Sequence, residues 1–162
     1  MSIENLTMNP FTKIGKEWAL VSAGDAASSN TMTVSWGGVG VLWGVNVVYI
    51  FIRESRHTKG FVDNGDTFSL AFLGDEYRQA LSYCGSHSGR DGNKWEAAGL
   101  TPAEKDGVVY PAEASLVFLC RKMAAVPVNE DSFIDADIQP KWYGDHDMHT
   151  MYVGQILDVI EK

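Results

Sequence analysis

The chain has 162 residues, a length suited to one folded domain, and its 45% apolar and 21% charged residues exclude a disordered or fibrous polymer. Thirteen Lys and Arg oppose 21 Asp and Glu; the formal charge of -8 argues against nucleic acid, so any anion must be caught by a local cluster of cations. No run approaches the roughly 18 consecutive apolar residues that span a bilayer, and Cys84 and Cys120 form no CxxC pair, so no membrane and a reducing cytoplasmic setting are expected.

In chain order, residues 1 to 12 read as a loose N-terminal arm. Trp18 to Ala23 is a short apolar run closed by Gly24-Asp25, and Thr31 to Trp36 alternates with the period of two of a strand. After a glycine-punctuated turn, Val45 to Ile52 is rich in β-branched and aromatic residues and ends at Arg53, the strongest strand signal in the chain. Ser55 is suited to cap a short helix through Thr58 to Val62, which Asp63-Asn64-Gly65-Asp66 ends with turn chemistry. Thr67 to Leu73 predicts a strand, and Asp75 is suited to cap a helix with Tyr77, Ala80, Leu81 and Cys84 on one face. A Gly/Ser loop is expected from Gly85 to Gly92, then one or two helical turns over Trp95 to Leu100. Ala114 to Val128 predicts a long strand or a pair of strands, and Met151 to Ile160 a last one.

With no internal repeat and no linker, residues 1–162 read as a single domain. Strands outnumber short helices, without the regular strand and helix alternation of a parallel sheet. The fold class is therefore mainly β with short helices, an antiparallel barrel.

Several motifs fail on inspection. Gly38-Val39-Gly40 opens like a dinucleotide loop, but Trp43 stands where the third glycine belongs. The run Asp145-His146-Asp147-Met148-His149 spaces its imidazoles three apart, which on a strand or turn does not bring both to one ion, so no metal is expected. Cys84 falls at the negative end of its helix, which disfavours the thiolate, and reads as buried filler.

Two segments survive. Arg53-Glu54-Ser55-Arg56-His57-Thr58-Lys59 gathers three cations and two hydroxyls where a strand gives way to a helix start. Planar arginine forks, hydroxyl donors and free helix N–H groups together match a phosphate monoester. Cys84-Gly85-Ser86-His87-Ser88-Gly89-Arg90-Asp91-Gly92-Asn93-Lys94 again pairs glycines with hydroxyls and cations, and glycine lets backbone approach a ligand.

Together with Asn30-Thr31-Met32-Thr33-Val34-Ser35-Trp36-Gly37-Gly38, Ala98-Gly99-Leu100-Thr101 and His149-x-x-Tyr152-x-Gly154-x-Ile156, these segments resemble the flavin reductase-like family over residues 18 to 160, most closely its flavoredoxin branch. The resemblance implies an FMN-binding split β-barrel, working as a homodimer with one FMN in each of two clefts near the interface. It sets Asn30 and the backbone of Met32, Thr33, Val34 and Ser35 along the isoalloxazine, with Trp36 at its edge. Thr58 and Lys94 would hold the phosphate, with Arg53, Ser55 and Arg56 nearby, and Ser86 and Ser88 would donate to phosphate or ribityl chain. His149 would face the flavin or the nicotinamide side, a role into which His146 could fall with a small shift. The implied activity passes electrons from NADH or NADPH through FMN. The alternative is a flavoredoxin-type carrier serving a redox partner protein. Lys162 follows the last strand closely, where family members often carry a further covering segment, so a flavin more exposed, or covered by the partner chain, is expected.

Overall fold

The computed structural model describes residues 2–162. Nine strands form: β1 Ala19–Gly24, β2 Ser29–Val34, β3 Gly37–Leu42, β4 Val45–Arg53, β5 Thr67–Phe72, β6 Pro102–Lys105, β7 Val108–Pro111, β8 Leu116–Pro127 and β9 His149–Glu161. Five short helices accompany them: α1 Pro10–Thr12, α2 His57–Asn64, α3 Arg78–Ser86, α4 Lys94–Ala98 and α5 Ile138–Trp142. No helix among the described residues is long and apolar enough to cross a membrane.

Seven strands make one antiparallel sheet in the order β2-β1-β5-β8-β9-β4-β3, and β6 and β7 pair separately. The order fixes the shape. β2 and β3 are its two ends, which a flat sheet of seven strands would hold about 29 Å apart. Val34 and Gly37 are nevertheless joined by Ser35 and Trp36 alone, a chain reach of about 11 Å. The sheet must curl until its edges nearly meet, and the unpaired seam between β2 and β3 makes it a split barrel.

Strand alternation explains the two cores. Val21, Met32, Val48, Ile50, Phe68, Phe118 and Tyr152 point into the barrel. Their neighbours Leu20, Ala71, Val117 and Leu119 point outward into a second cluster with Leu81, Cys84, Trp95 and Val109, beneath α3, α4 and the β6–β7 hairpin. β1, β5 and β8 are thus covered on both faces, and their runs read as nearly continuous apolar sequence.

The structure departs from the sequence reading at several points. Ser35 and Trp36 lie beyond the end of β2 and form the link across the seam. β3, whose glycines suggested a turn, is an edge strand paired along its length with β4. The β6–β7 hairpin turns on Asp106-Gly107, both at positive φ as a two-residue hairpin requires. Ser55 does not cap α2: Arg56 holds that position, with no capping side chain. Asp75 begins a single 3-10 turn ahead of α3, and α3 runs one residue past Gly85. The N-terminal arm is not loose, since Ile3, Leu6 and Met8 pack on the barrel core.

Candidate functional site

The seam, the start of α2 and the end of α3 converge on one region, which begins with two cations. Lys94 is only 3% exposed, and its ammonium donates to the Cys84 carbonyl at 2.7 Å. Arg56 donates to the same carbonyl at 3.0 Å and to that of Gly85 at 3.1 Å. Both charges thereby meet the negative end of α3. Neither makes an ion pair with a carboxylate among the described residues. Burial, then the charge of Arg56, pushes the Lys94 ammonium down to about 8 against the pull of the Cys84 thiol. Burial also lowers the value for Arg56 and raises that of the Cys84 thiol, which stays protonated filler.

Thr58 is buried beside them and its hydroxyl accepts from the Asn30 amide at 2.9 Å. A Cβ at Gly89 would come within 2.5 Å of that amide's oxygen, so only glycine lets the loop close over Asn30. At the start of α2 the Lys59 N–H donates to the Arg56 carbonyl at 3.1 Å, and those of His57 and Thr58 have no intrahelical partner. A cleft of about 180 Å³ opens here between Ser55, Arg56 and His57 on one side and Gly85, Ser86 and Ser88 on the other. The Ser86 hydroxyl donates to the Ser82 carbonyl, and that of Ser88 accepts from the Arg90 amide.

Two further clefts continue this one along β2. The first, about 240 Å³, lies between Trp18, Thr33, Ser35, Leu81 and the Gly85-Ser86 turn. Trp18 adopts φ 69°, costly for a non-glycine residue. Arg78 holds it, stacking 3.4 Å from the indole centre and donating to the carbonyls of Lys16 and Glu17. The second, about 280 Å³, is bounded by the Met32 to Trp36 backbone, Phe51, Arg53, Trp142 and His149. Met32 and Val34 bury their side chains in the barrel, leaving their backbone to line it. β2 is hydrogen-bonded only to β1, so half of its backbone groups face the seam unpaired.

In this second cleft Trp36 meets Trp142 edge-on at 5.1 Å and His149 at 5.4 Å. His149 is 7% exposed, and its Nδ1 lies 2.7 Å from the Tyr143 hydroxyl. Burial, reinforced by Arg53 and opposed by Asp147, pushes its imidazole down to about 4, so it is neutral at pH 7.

The structure puts Ser55, Arg56, Ser86 and Ser88 around one cleft, joins Arg56 and Lys94 at the Cys84 carbonyl, and gathers Met32 to Trp36 with His149; Arg53, Ser55 and Asn30 have partners of their own. Arg53 does not join the phosphate-type cluster: it donates to the carbonyls of Asp147 and Trp142 and lies over the Tyr143 ring. Ser55 turns its amide and hydroxyl to the Asp147 carboxylate. Asn30 faces Thr58 at the cationic end of the clefts. His146 is exposed and bonds Glu130, leaving His149 as the imidazole of the cleft. Trp18, Phe51, Trp142 and Tyr143 were not foreseen. The segment before β9 shows no periodicity, and its aromatic pair Trp142-Tyr143 was the one available signal.

A larger cavity, about 870 Å³, adjoins α2 and shares Arg56 and His57 with the smaller cleft. Arg56, His57, Lys59 and Arg90 line it together with Glu54, Asp63 and Asp66, and its Lys59 is already paired with Asp63 and Glu54.

Residues 11–162 match the flavin reductase like domain. The chain belongs to that family. No curated relative matches it. Among solved structures it is similar to the flavoredoxin of Desulfovibrio vulgaris (Miyazaki F), at 19% identity and a TM-score of 0.70 over 100% of this chain and 76% of that one. The FMN-binding protein from Thermus thermophilus with bound p-hydroxybenzaldehyde gives 18% and 0.71, over 97% and 80%. The NADH:FAD oxidoreductase of Streptomyces globisporus C-1027, in complex with NAD and FAD fragments, gives 14% and 0.67, over 90% and 74%. Identities this low establish the shared fold, and the family domain makes a flavin-binding redox role the coarse reading.

Proposed function

We propose that the protein is an FMN-binding oxidoreductase that accepts electrons from NADH or NADPH. The observation that carries this reading is the Arg56 and Lys94 pair, a half-buried and a buried cation that share the Cys84 carbonyl and make no ion pair with a carboxylate among the described residues, in a molecule of net charge -8. A buried charge without a counter-charge is costly, and a bound anion offsets that cost.

The donor set fits FMN. Lys94 gives a point charge, Arg56 a planar fork, Thr58 a neutral hydroxyl held by Asn30, and α2 its first amides, the set a phosphate monoester accepts. The flat clefts between Trp18, the β2 edge and Trp36 suit a planar ring. In this reading Thr58, Lys94 and Arg56 hold the phosphate with Ser86 and Ser88, and the backbone of Met32 to Ser35 binds the ring's polar edge. Arg53 and Ser55 act indirectly, by anchoring Asp147 and Trp142 beside His149. Bound FMN would supply two-electron redox chemistry; the chain binds it and orients a second ring against it. A homodimer belongs to the same reading, since Val41 and Trp43 are exposed beside the unpaired edge of β3.

A second reading, an FMN carrier docking to a redox partner protein, is favoured by the acidic surface, which suits a basic partner. Anaerobic titration of the FMN-supplemented protein with NADH and then NADPH separates the two. Stoichiometric bleaching by either is the expected result. Bound flavin inert to both would establish the carrier instead, and no FMN binding would overturn both readings.

A further inference from the structure

The Tyr143 and His149 hydrogen bond lies beside the aromatic cleft, which Arg56 of the anion cluster also lines. A phenol is a better donor than a neutral imidazole N–H, so Tyr143 donates and Nδ1 accepts. That leaves the ring proton on Nε2. Nε2 has no acceptor in the protein among the described residues, yet no buried side-chain nitrogen or oxygen there lacks a partner, so Nε2 is not sealed in. The opening next to it is the cleft that His149 lines. The charged and titratable groups facing the imidazole are Arg53 from β4, Asp147 from the segment before β9, and Tyr143 at the end of α5; burial and Arg53 keep it neutral at pH 7 against the pull of Asp147.

Tyr143 is itself firmly held. Phe133 stacks on its ring at 5.3 Å, the Arg53 guanidinium lies 5.2 Å from the ring centre, and its amide donates to the Gln139 carbonyl at 2.9 Å. A neutral N–H donor matches a carbonyl oxygen, and the two arginines that line the cleft, Arg53 and Arg56, already donate to backbone carbonyls. The walls are aromatic, and about 280 Å³ suits one substituted ring.

We propose that Tyr143 is a positioning residue that locks His149 as the Nε2–H tautomer, and that His149 donates this hydrogen to the carbonyl oxygen of a flat conjugated ring held between Trp36, Phe51 and Trp142. This rests on the reading above in that the ring would share the cleft system with the flavin; it names the class of the second ligand.

Imidazole ¹⁵N NMR tests the tautomer without any cofactor. The His149 signals, identified by their loss in His149→Gln, should show a protonated Nε2 and a bare Nδ1, and Tyr143→Phe should mix the tautomers and move the titration upward. The same proteins are titrated with p-hydroxybenzaldehyde, with and without FMN. Affinity should fall about tenfold in Tyr143→Phe and in His149→Leu. It should stay within about threefold in His149→Gln, whose amide restores a donor near Nε2. A protonated Nδ1 in the native protein, or an unchanged tautomer in Tyr143→Phe, would overturn the positioning role. Equal aldehyde affinity in every variant, or none in the native protein, overturns the donor role. FMN binding is read in parallel by fluorescence quenching. Aldehyde binding without FMN binding would sink the flavin reading and support this one; FMN binding without aldehyde binding would do the reverse.

Discussion

An ammonium group at its ordinary value of 10.5 is well hydrated, and Lys94 gives up almost all of that water for one carbonyl and the neighbourhood of Arg56. Its fall to about 8 corresponds to roughly 3 kcal/mol of destabilisation at neutral pH. Above pH 8 the folded chain releases a proton that the unfolded chain still holds, so the stability of the ligand-free protein should rise from pH 8 to about 10. Lys94→Met should remove that rise and gain about 1–2 kcal/mol at pH 7 in urea unfolding, while weakening FMN at least about tenfold. A variant that loses stability and keeps its FMN affinity would refute this account. The residue types of this cluster were legible in the sequence because hydroxyls and cations crowd two short segments. The partners of Arg53 and Ser55 were not, since Asp147 and Trp142 are about 90 residues away and reach them only because Arg53 pairs with His149 across β4 and β9.

Among the elements, β9 is closely packed in the barrel. It pairs with both β4 and β8, and at Gly154 a side chain would overlap the Phe68 ring and come within 3.0 Å of the Cys120 Cβ. Gly154→Ala should therefore cost about 1–3 kcal/mol in thermal unfolding with FMN affinity unaltered, because Gly154 lines none of the clefts along β2. Combined with Phe68→Leu it should cost less than the two single changes together, since the shorter side chain vacates the overlapped space. The strands were readable wherever alternation or β-branching was strong, as in β4 and β5. β3 was hidden by its glycines, which pair with β4 like any other residues but leave no side-chain pattern. The β6–β7 hairpin carried a readable Asp106-Gly107 signal, but its strands are only four residues each. Curvature was not legible at all from periodicity. It follows from strand order, which brings Val34 and Gly37 together at opposite ends of one sheet.

For the whole molecule, a net charge of -8 sets a field that repels a phosphate ligand at long range, while the site holds a buried and a half-buried cation. Salt acts unequally on these opposing effects. The repulsion is exerted by surface groups across water and is screened once the Debye length falls to about 10 Å. The attraction is exerted at hydrogen-bond range by groups that solvent ions barely reach, and it is screened much less. A site built from surface lysines would lose affinity steeply with salt. This one should change its FMN affinity by less than about threefold between 50 and 200 mM salt, with any drift toward tighter binding. Riboflavin, which lacks the phosphate, should bind more weakly at both salt concentrations and show still less salt dependence. Equilibrium dialysis of both ligands at the two salt concentrations checks this. A steep loss of FMN affinity with salt would mean that exposed cations catch the phosphate, with Lys59 and Arg90, which line the 870 Å³ cavity beside α2, as the first to replace.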